Sequence, residues 1–449
     1  MEPFRQHVVV CTQEKPEGVK SCAAACSGEV LGALHGELQK QGAAGEVQVT
    51  TCGCLGLCDE GPIVIVYPEG VWYRRVKPAD VSEIVGSHLR SGKPVARLVW
   101  NDAPAMKDMI TEHGKQYHAM LKAKEQAGVV PDEVNELIRG FMSSRAVLTA
   151  LELDVFTTVA EGASADMVAE KMQASLRGTE MLLNALAALK LLHKENGVFR
   201  NTPLSARFFA DTSPDSARQA LLHMANLWRR WSGLTGSVRA GTPAPRSEDE
   251  RWTNAFIAAM DRNARERSHA VVKAVGTEGI HRILDLGGGS AAYSIAFAGA
   301  NPAVTAEVLD VAEVVPLTRQ YIQRAGLAAR IQTRVGDMLS DPLGEGFDLV
   351  LLSAICHMFS PEENRALYRR AHAALAPGGR LLVQDFILEP EKTAPRFGAL
   401  FALNMLVATS GGSSYSEPEY AAWLAEADFR DVRHIRLPGP AGLLLATRN

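Results

Sequence analysis

Nowhere in these 449 residues does an apolar run reach the ~18 residues that a membrane-spanning helix requires. Charge of one sign is lacking too. The 47 basic and 51 acidic side chains leave a net charge of -4, which gives no electrostatic reason to expect nucleic acid or an anionic membrane as partner. Met1 to His7 run straight into Val8-Val9-Val10 without the basic, apolar and cleavage regions of a signal peptide, so a cytoplasmic protein is expected. Internal repeats and low-complexity tracts are absent. Beyond residue 58 there is one cysteine, Cys356, whereas Cys11, Cys22, Cys26, Cys52, Cys54 and Cys58 crowd the start of the chain. In a reducing compartment such crowding points to metal ligation or redox chemistry rather than disulfides.

An apolar content of 47% and a charged content of 22% are those of a soluble globular chain, and the length predicts two or three domains. Residues 1–98 read as a small α/β unit. Its strands are Val8–Val10, Val47–Thr51 and Ile63–Tyr67 with a return at Val71–Tyr73, and its helices are Ser27–Gln41 and Ala79–Leu89. Residues 99–131 carry few strong apolar repeats and read as a partly helical linker. Residues 132–247 are helical, with apolar stripes in Glu133–Val159 and Met181–Leu192 and a short wing at Gly197–Arg200. This winged-helix-like layout serves DNA binding or dimerisation; without a basic face near Met181–Leu192, dimerisation is expected. Residues 248–449 alternate strand and helix patterns, which predicts a doubly wound parallel sheet with ligands at the carboxyl ends of its strands.

One such strand, Arg282–Leu286, runs into Asp285-Leu286-Gly287-Gly288-Gly289-Ser290 and then a helix. Glycines there let a ligand approach the backbone closely. A dinucleotide site uses similar chemistry, but the glycines are consecutive and the Gly-x-Gly-x-x-Gly spacing is missing. Asp310 ends the next strand, where a carboxylate can accept hydrogen bonds from both ribose hydroxyls. Asp337, in Gly336-Asp337-Met338, ends the following element and can take an adenine amino group, with Met338 packing on the ring. Each acid alone could be a surface turn residue. The ordered set points to S-adenosylmethionine, with Asp285, Gly287, Gly289, Asp310, Asp337 and Met338 as candidate binders. His357 follows the strand Asp348–Leu352 on the same rim. A histidine's pKa suits removing a hydroxyl proton, although the ring could also simply cap the next helix.

Cys11 ends the first strand, Cys22 lies in the loop after it, and Cys54 and Cys58 share one Cys-x3-Cys loop. Four thiolates from such loops can hold a [2Fe-2S] cluster or a tetrahedral zinc. Their spacing is neither that of plant-type ferredoxins nor the paired Cys-x2-Cys of zinc ribbons. Cys26 and Cys52 are then extra, and Cys22-x3-Cys26 offers a competing pair.

Residues 131–449 resemble the class I O-methyltransferases of the plant caffeate and bacterial polyketide type. The likeness lies in Ala146–Phe156, in Met181–Leu192 with Thr202-Pro203-Leu204, in Val308–Val315 and in Gly336-Asp337-Met338. It implies a homodimer with a winged-helix dimerisation domain and a Rossmann-like methyltransferase domain. It also implies that His357 is the general base and Asp385 the acid orienting it, where the family usually has Glu. Met358 replaces an Asp after the histidine, Ser353 a lysine common in plant members, and Ser414 a second histidine-flanking acid. Asn404-Met405 and Gly411-Gly412 resemble the acceptor-pocket segment, where a Met also reads as core filler. Residues 5–98 resemble the thioredoxin-like [2Fe-2S] ferredoxins, through the cysteines, Gly61-Pro62 and Val66–Tyr73. That resemblance implies Cys11, Cys22, Cys54 and Cys58 as ligands. The expectation is methylation of a hydroxyl on a small aromatic, quinol or polyketide-like acceptor, beside a [2Fe-2S] domain of redox or regulatory role with its own electron donor or acceptor. Two rivals are methylation at carbon on a ring or tetrapyrrole-like acceptor, and a redox-sensing protein whose methyltransferase fold only binds ligand.

Overall fold

Strict alternation shapes the first strand: Gln6, Val8 and Val10 of Gln6–Cys11 (β1) are buried, while His7 and Val9 between them are half-exposed. The computed structural model describes residues 3–15, 19–245 and 251–449. The chain divides into two compact units, residues 1–137 and 138–449, so the helical region and the doubly wound region fall in one unit. The boundary expected between residues 247 and 248 lies outside the described residues.

In the first unit, Ser27–Lys40 (α1) buries Val30, Leu34 and Leu38, one face at helical spacing, against the sheet. The sheet runs β2-β1-β3-β4, with Val47–Cys52 (β2), Val64–Tyr67 (β3) and Val71–Tyr73 (β4). β2 is parallel to β1 and sets Cys52 opposite Cys11; β3 is antiparallel to β1. The closing helix expected at Ala79–Leu89 is a 3-10 turn, one α turn and then wide π turns over Ile84–Arg90. Residues 99–131 depart further from expectation. They contain one 24-residue helix, Ala103–Gln126 (α2), whose Met106 and Met109 pack on a small core of Cys11, Cys22, Leu57, Ile63, Ile65 and Trp100.

The second unit begins within Asp132–Glu152 (α3). Ala165–Met172 (α4) and Leu176–Ala188 (α5) follow, with Ala163–Ser164 (β5), Leu192–Glu195 (β6) and Val198–Asn201 (β7) pairing as β5-β7-β6. The β6–β7 hairpin is the expected wing. Leu151, Phe156, Val168, Leu183, Leu186 and Phe199 form the core here. Arg218–Trp231 (α6) then packs along Arg251–Val275 (α7).

Seven strands make the last sheet: Arg282–Leu286 (β8), Thr305–Asp310 (β9), Ile331–Val335 (β10), Phe347–Ser353 (β11), Leu375–Asp385 (β12), Phe429–Arg436 (β13) and Gly442–Arg448 (β14). Their order is β10-β9-β8-β11-β12-β14-β13, parallel from β10 to β12 and antiparallel on both sides of β14. Ile283 to Leu286 are all buried because helices cover both faces. The order reverses at β8, and neighbours diverging there open a crevice at the carboxyl ends. Ala292–Ala300 (α8), Val315–Arg324 (α9), Pro361–Ala374 (α10), Arg396–Ala408 (α11) and Glu417–Glu426 (α12) complete the unit. Among the described residues no helix is long and apolar enough to cross a membrane.

The loop after α11 presses on the crevice rim. A methyl on Gly412 would overlap the backbone carbonyl oxygen of His357 and lie 2.9 Å from the Met358 carbonyl carbon. Because backbone cannot rotate away as a side chain does, Gly412→Ala should lower stability by about 1–3 kcal/mol. Urea unfolding checks this; an unchanged midpoint would mean that the loop is free to lift.

Candidate functional site

β8 delivers Asp285 to the crevice and the chain then turns sharply, with Gly287 at φ +67° and Gly289 at φ +57°. Side chains rarely adopt such dihedrals, and space is short as well: a methyl on Gly287 would lie 2.5 Å from Ile355 Cδ1 and 3.0 Å from Met338 Cε. Met338 is thus brought to the glycine turn. Asp310, at the end of β9, accepts the Gly289 N–H (2.8 Å) through Oδ2 and the Val311 N–H (2.8 Å) through Oδ1. Burial raises its pKa, and the two amide bonds oppose that rise. Asp337 is exposed, and its carboxylate accepts the Leu339 N–H (2.8 Å) and the Ser340 hydroxyl (3.0 Å) of its own turn.

Asp285 is 1% exposed, and burial pushes its pKa up to about 6, opposed by the Ser294 hydroxyl, which donates to Oδ2 (2.7 Å). The other oxygen, Oδ1, is buried with no hydrogen-bond partner. A native structure rarely leaves a carboxylate oxygen so placed without a reason. An acceptor awaiting a donor, beside a turn too tight for side chains, fits the cationic portion of S-adenosylmethionine.

Across the rim, β11 ends at Ser353 and a 3-10 turn, Cys356–Met358, carries His357. Buried Asn364 pins this turn by donating to the carbonyls of Cys356 (2.9 Å), Phe359 (3.1 Å) and Ser360 (3.1 Å). The next helix, α10, is capped by Ser360, whose hydroxyl accepts from the Glu363 N–H while Glu363 accepts from the Ser360 N–H. His357 is therefore not its cap. Asp385, ending β12, holds the ring: His357 Nδ1 lies 2.7 Å from Oδ1, and the His357 N–H donates to Oδ2 at 3.0 Å. The Phe386 N–H (2.8 Å) and the Tyr420 hydroxyl (3.1 Å) donate to the same carboxylate.

Aromatic rings enclose the imidazole. Phe401 meets it edge-on at 4.8 Å between centroids and Phe386 lies near-parallel at 5.9 Å; Phe386 touches Phe397 (4.9 Å) and Phe401 (4.4 Å). On α11, which carries Phe397 and Phe401, Asn404 Oδ1 accepts the Nε1–H of Trp231 from α6 at 2.9 Å. Met358 is exposed, Ser353 donates to Gln384 Oε1 (2.7 Å), and the Ser414 hydroxyl is buried without a partner. Sequence reasoning did not find Tyr420, Trp231, Ser294 or the aromatic pair on α11. Phe397 and Phe401 stand four residues apart, with Asn404 and Met405 one turn further, a helical period that the sequence displays.

The first unit brings the four expected cysteines together as two pairs. Cys11 and Cys22 are both buried, and their proximity pushes the Cys11 pKa down to about 6 and that of Cys22 up, while the Cys11 thiol donates to the Gly53 carbonyl at 3.4 Å. Cys54 Sγ and Cys58 Sγ lie 3.5 Å apart, and the Gly56 N–H points to Cys54 Sγ (3.4 Å). A methyl on Gly61 would lie 2.7 Å from Cys22 Sγ, so the sulfur occupies space that glycine leaves. Of the two extra cysteines, Cys26 is exposed at the start of α1 and Cys52 is half-buried next to Cys11. Among the described residues, the atoms that could share one ion within 4.8 Å of one another are those of Cys54, Cys58 and His113. His113, on α2, was not foreseen.

Two family models match the chain, an O-methyltransferase dimerisation domain over residues 135–211 and an O-methyltransferase domain over residues 226–430. The 3-hydroxy-5-methyl-1-naphthoate 3-O-methyltransferase of Streptomyces sahachiroi is 30% identical over 320 residues, 69% of this chain and 92% of its own. Acetylserotonin O-methyltransferase of Bos taurus is 32% identical, covering 70% of this chain and 97% of its own. The crystal structure of the human N-acetylserotonin methyltransferase with its methyl donor superposes with a TM-score of 0.63 at 28% identity, over 71% of this chain and 97% of that one.

The buried charge at Asp285 has a pH signature. Its folded pKa, about 6, lies above the unfolded value near 3.9, so its contribution to stability is intact below pH ~4 and is lost as pH rises through 6. Asp285→Asn removes that loss. Urea unfolding curves of the two proteins should coincide near pH 4 and separate by up to ~3 kcal/mol above pH 7, with the variant the more stable. A constant offset at every pH would refute the assignment.

Proposed function

Because this chain belongs to the S-adenosylmethionine-dependent O-methyltransferase family, we propose that it methylates a hydroxyl of a small aromatic, quinol or polyketide-like acceptor, with His357 as general base. The observation that carries this reading is the His357–Asp385 pair at 2.7 Å inside an aromatic enclosure. With Asp385 accepting the Nδ1 proton, Nε2 is left to take a proton from the acceptor, and the carboxylate stabilises the imidazolium that results. Phe386, Phe397 and Phe401 suit a planar ring and keep water away. Asp285, Gly287, Gly289, Asp310, Asp337 and Met338 are the residues proposed to hold S-adenosylmethionine, which supplies a methyl group on a sulfonium centre. Alignment of acceptor oxygen and methyl carbon in a dry pocket would contribute much of the rate.

A homodimer accords with the dimerisation domain. On α3, Leu137, Ile138, Phe141 and Met142 are 72%, 64%, 55% and 60% exposed. Phe141 and Met142 border an apolar groove of about 440 Å³ with Leu153, Met172 and Leu182. A stripe of this kind on a helix is costly to leave in water, and a second copy is its proposed occupant.

For the cysteine centre the reading is a [2Fe-2S] cluster held by Cys11, Cys22, Cys54 and Cys58. Two thiol pairs suit two irons better than they suit the single tetrahedron of zinc. Methyl transfer moves no net electrons. The proposed role is therefore redox or regulatory, for example reduction of a quinone to the hydroquinone that offers a hydroxyl, with electrons from a separate donor.

His357→Ala should lower turnover roughly 10²–10⁴-fold while leaving donor affinity nearly intact. Single-turnover assays with labelled donor and calorimetry separate the two effects, and near-normal turnover would remove the general base. Asp310→Ala should weaken donor binding by about 1.5–3 kcal/mol, as for hydrogen bonds to a charged group. Unchanged affinity by calorimetry would dismiss the donor site.

A further inference from the structure

Helix α2 is built against the cysteine loop, not strung past it. Gly56, at φ +78° between Cys54 and Cys58, sits so close to α2 that a methyl there would lie 3.3 Å from Ile110 Cα and 3.7 Å from His113 Nδ1. Half-buried His113 stacks on Tyr117 one turn later, with centroids 6.4 Å apart and planes 9° from parallel. Its Nε2 is 2.8 Å from Lys15 Nζ. An ammonium only donates, so Nε2 is the acceptor, and the proton of the neutral ring sits on Nδ1. Nδ1 is the atom beside the Cys54–Cys58 loop. Lys15 also lies within hydrogen-bond reach of the Cys58 thiol. One N–H donor and one cation thus face the outer sulfur pair, of which Cys54 is exposed and Cys58 half-buried, while Cys11 and Cys22 are buried.

We infer that His113 and Lys15 form a donor wall over the Cys54–Cys58 side of the centre and tune the reduction of the metal group held there. The inference rests on the [2Fe-2S] reading of the four cysteines. Reduction adds one negative charge to the cluster, and donors and cations next to ligating sulfurs favour the form that carries more of it. The histidine comes from α2, outside the segment that resembles ferredoxins, so that part of the wall is a feature this chain adds.

The test uses the full-length protein, purified or reconstituted under anaerobic conditions, with iron and acid-labile sulfide measured first. A midpoint titration followed by electron paramagnetic resonance is then run at one fixed pH. His113→Leu and Lys15→Met should each lower the ratio of reduced to oxidised cluster about tenfold at a given potential, which is ~59 mV for one electron. His113→Asn, whose amide nitrogen can stand where Nδ1 does, should recover most of that loss. If His113→Leu does not load, Lys15→Met alone decides. Potentials unchanged in the loaded variants, or Asn and Leu shifting alike, would overturn the donor wall while leaving the cluster standing. Wild-type protein that takes up neither iron nor sulfide would overturn the cluster reading and the wall with it.

Discussion

Asp385 is 1% exposed, and a carboxylate that far from water must be hydrogen-bonded throughout or give up its charge. It meets that demand with four donors drawn from three places: the ring and backbone of His357, the backbone of Phe386 and the hydroxyl of Tyr420 on α12. The end of β12, the turn after β11 and the final helix are therefore tied at one point. The imidazole is held in tautomer and tilt, because rotation would cost the buried carboxylate one of its four hydrogen bonds. The Ser414 hydroxyl is buried without a partner and takes no part in this anchoring, to which Tyr420 contributes.

Much of this was legible in the sequence wherever a local pattern carries the information. Val8–Val10 is a β-branched run, Ile283-Leu284 stand just before Asp285 and the glycines, and Asp310 ends a strand; each lies in the expected element. The wing at Gly197–Arg200 was visible from its glycine and flanking pattern. Tyr420 was not, because it lies 35 residues beyond Asp385 on an ordinary amphipathic helix and only the fold brings the two together. Asp337 was visible from its place in Gly336-Asp337-Met338, but the bonds by which its carboxylate holds its own turn, from Leu339 and Ser340, were not.

Residues 99–131 were the least legible. A helix earns an apolar stripe by the surface it covers, and α2 covers little beyond the cysteine loop. Met106, Met109 and His113 are half-buried, whereas Ile110, Tyr117 and Met120 are exposed. Periodicity arguments fail where the buried face is that short. Docking of backbone on backbone at Gly56 and Ile110 leaves no side-chain signature except the glycine.

That docking has a consequence for the order in which the chain is made. Cys11, Cys22, Cys54 and Cys58 and the strands that frame them all precede residue 98, whereas α2 begins at Ala103. During synthesis from the N-terminus all four thiols are therefore in the chain before α2 is. The Gly56 turn between Cys54 and Cys58 gains its packing partner only once Ile110 and His113 have been added.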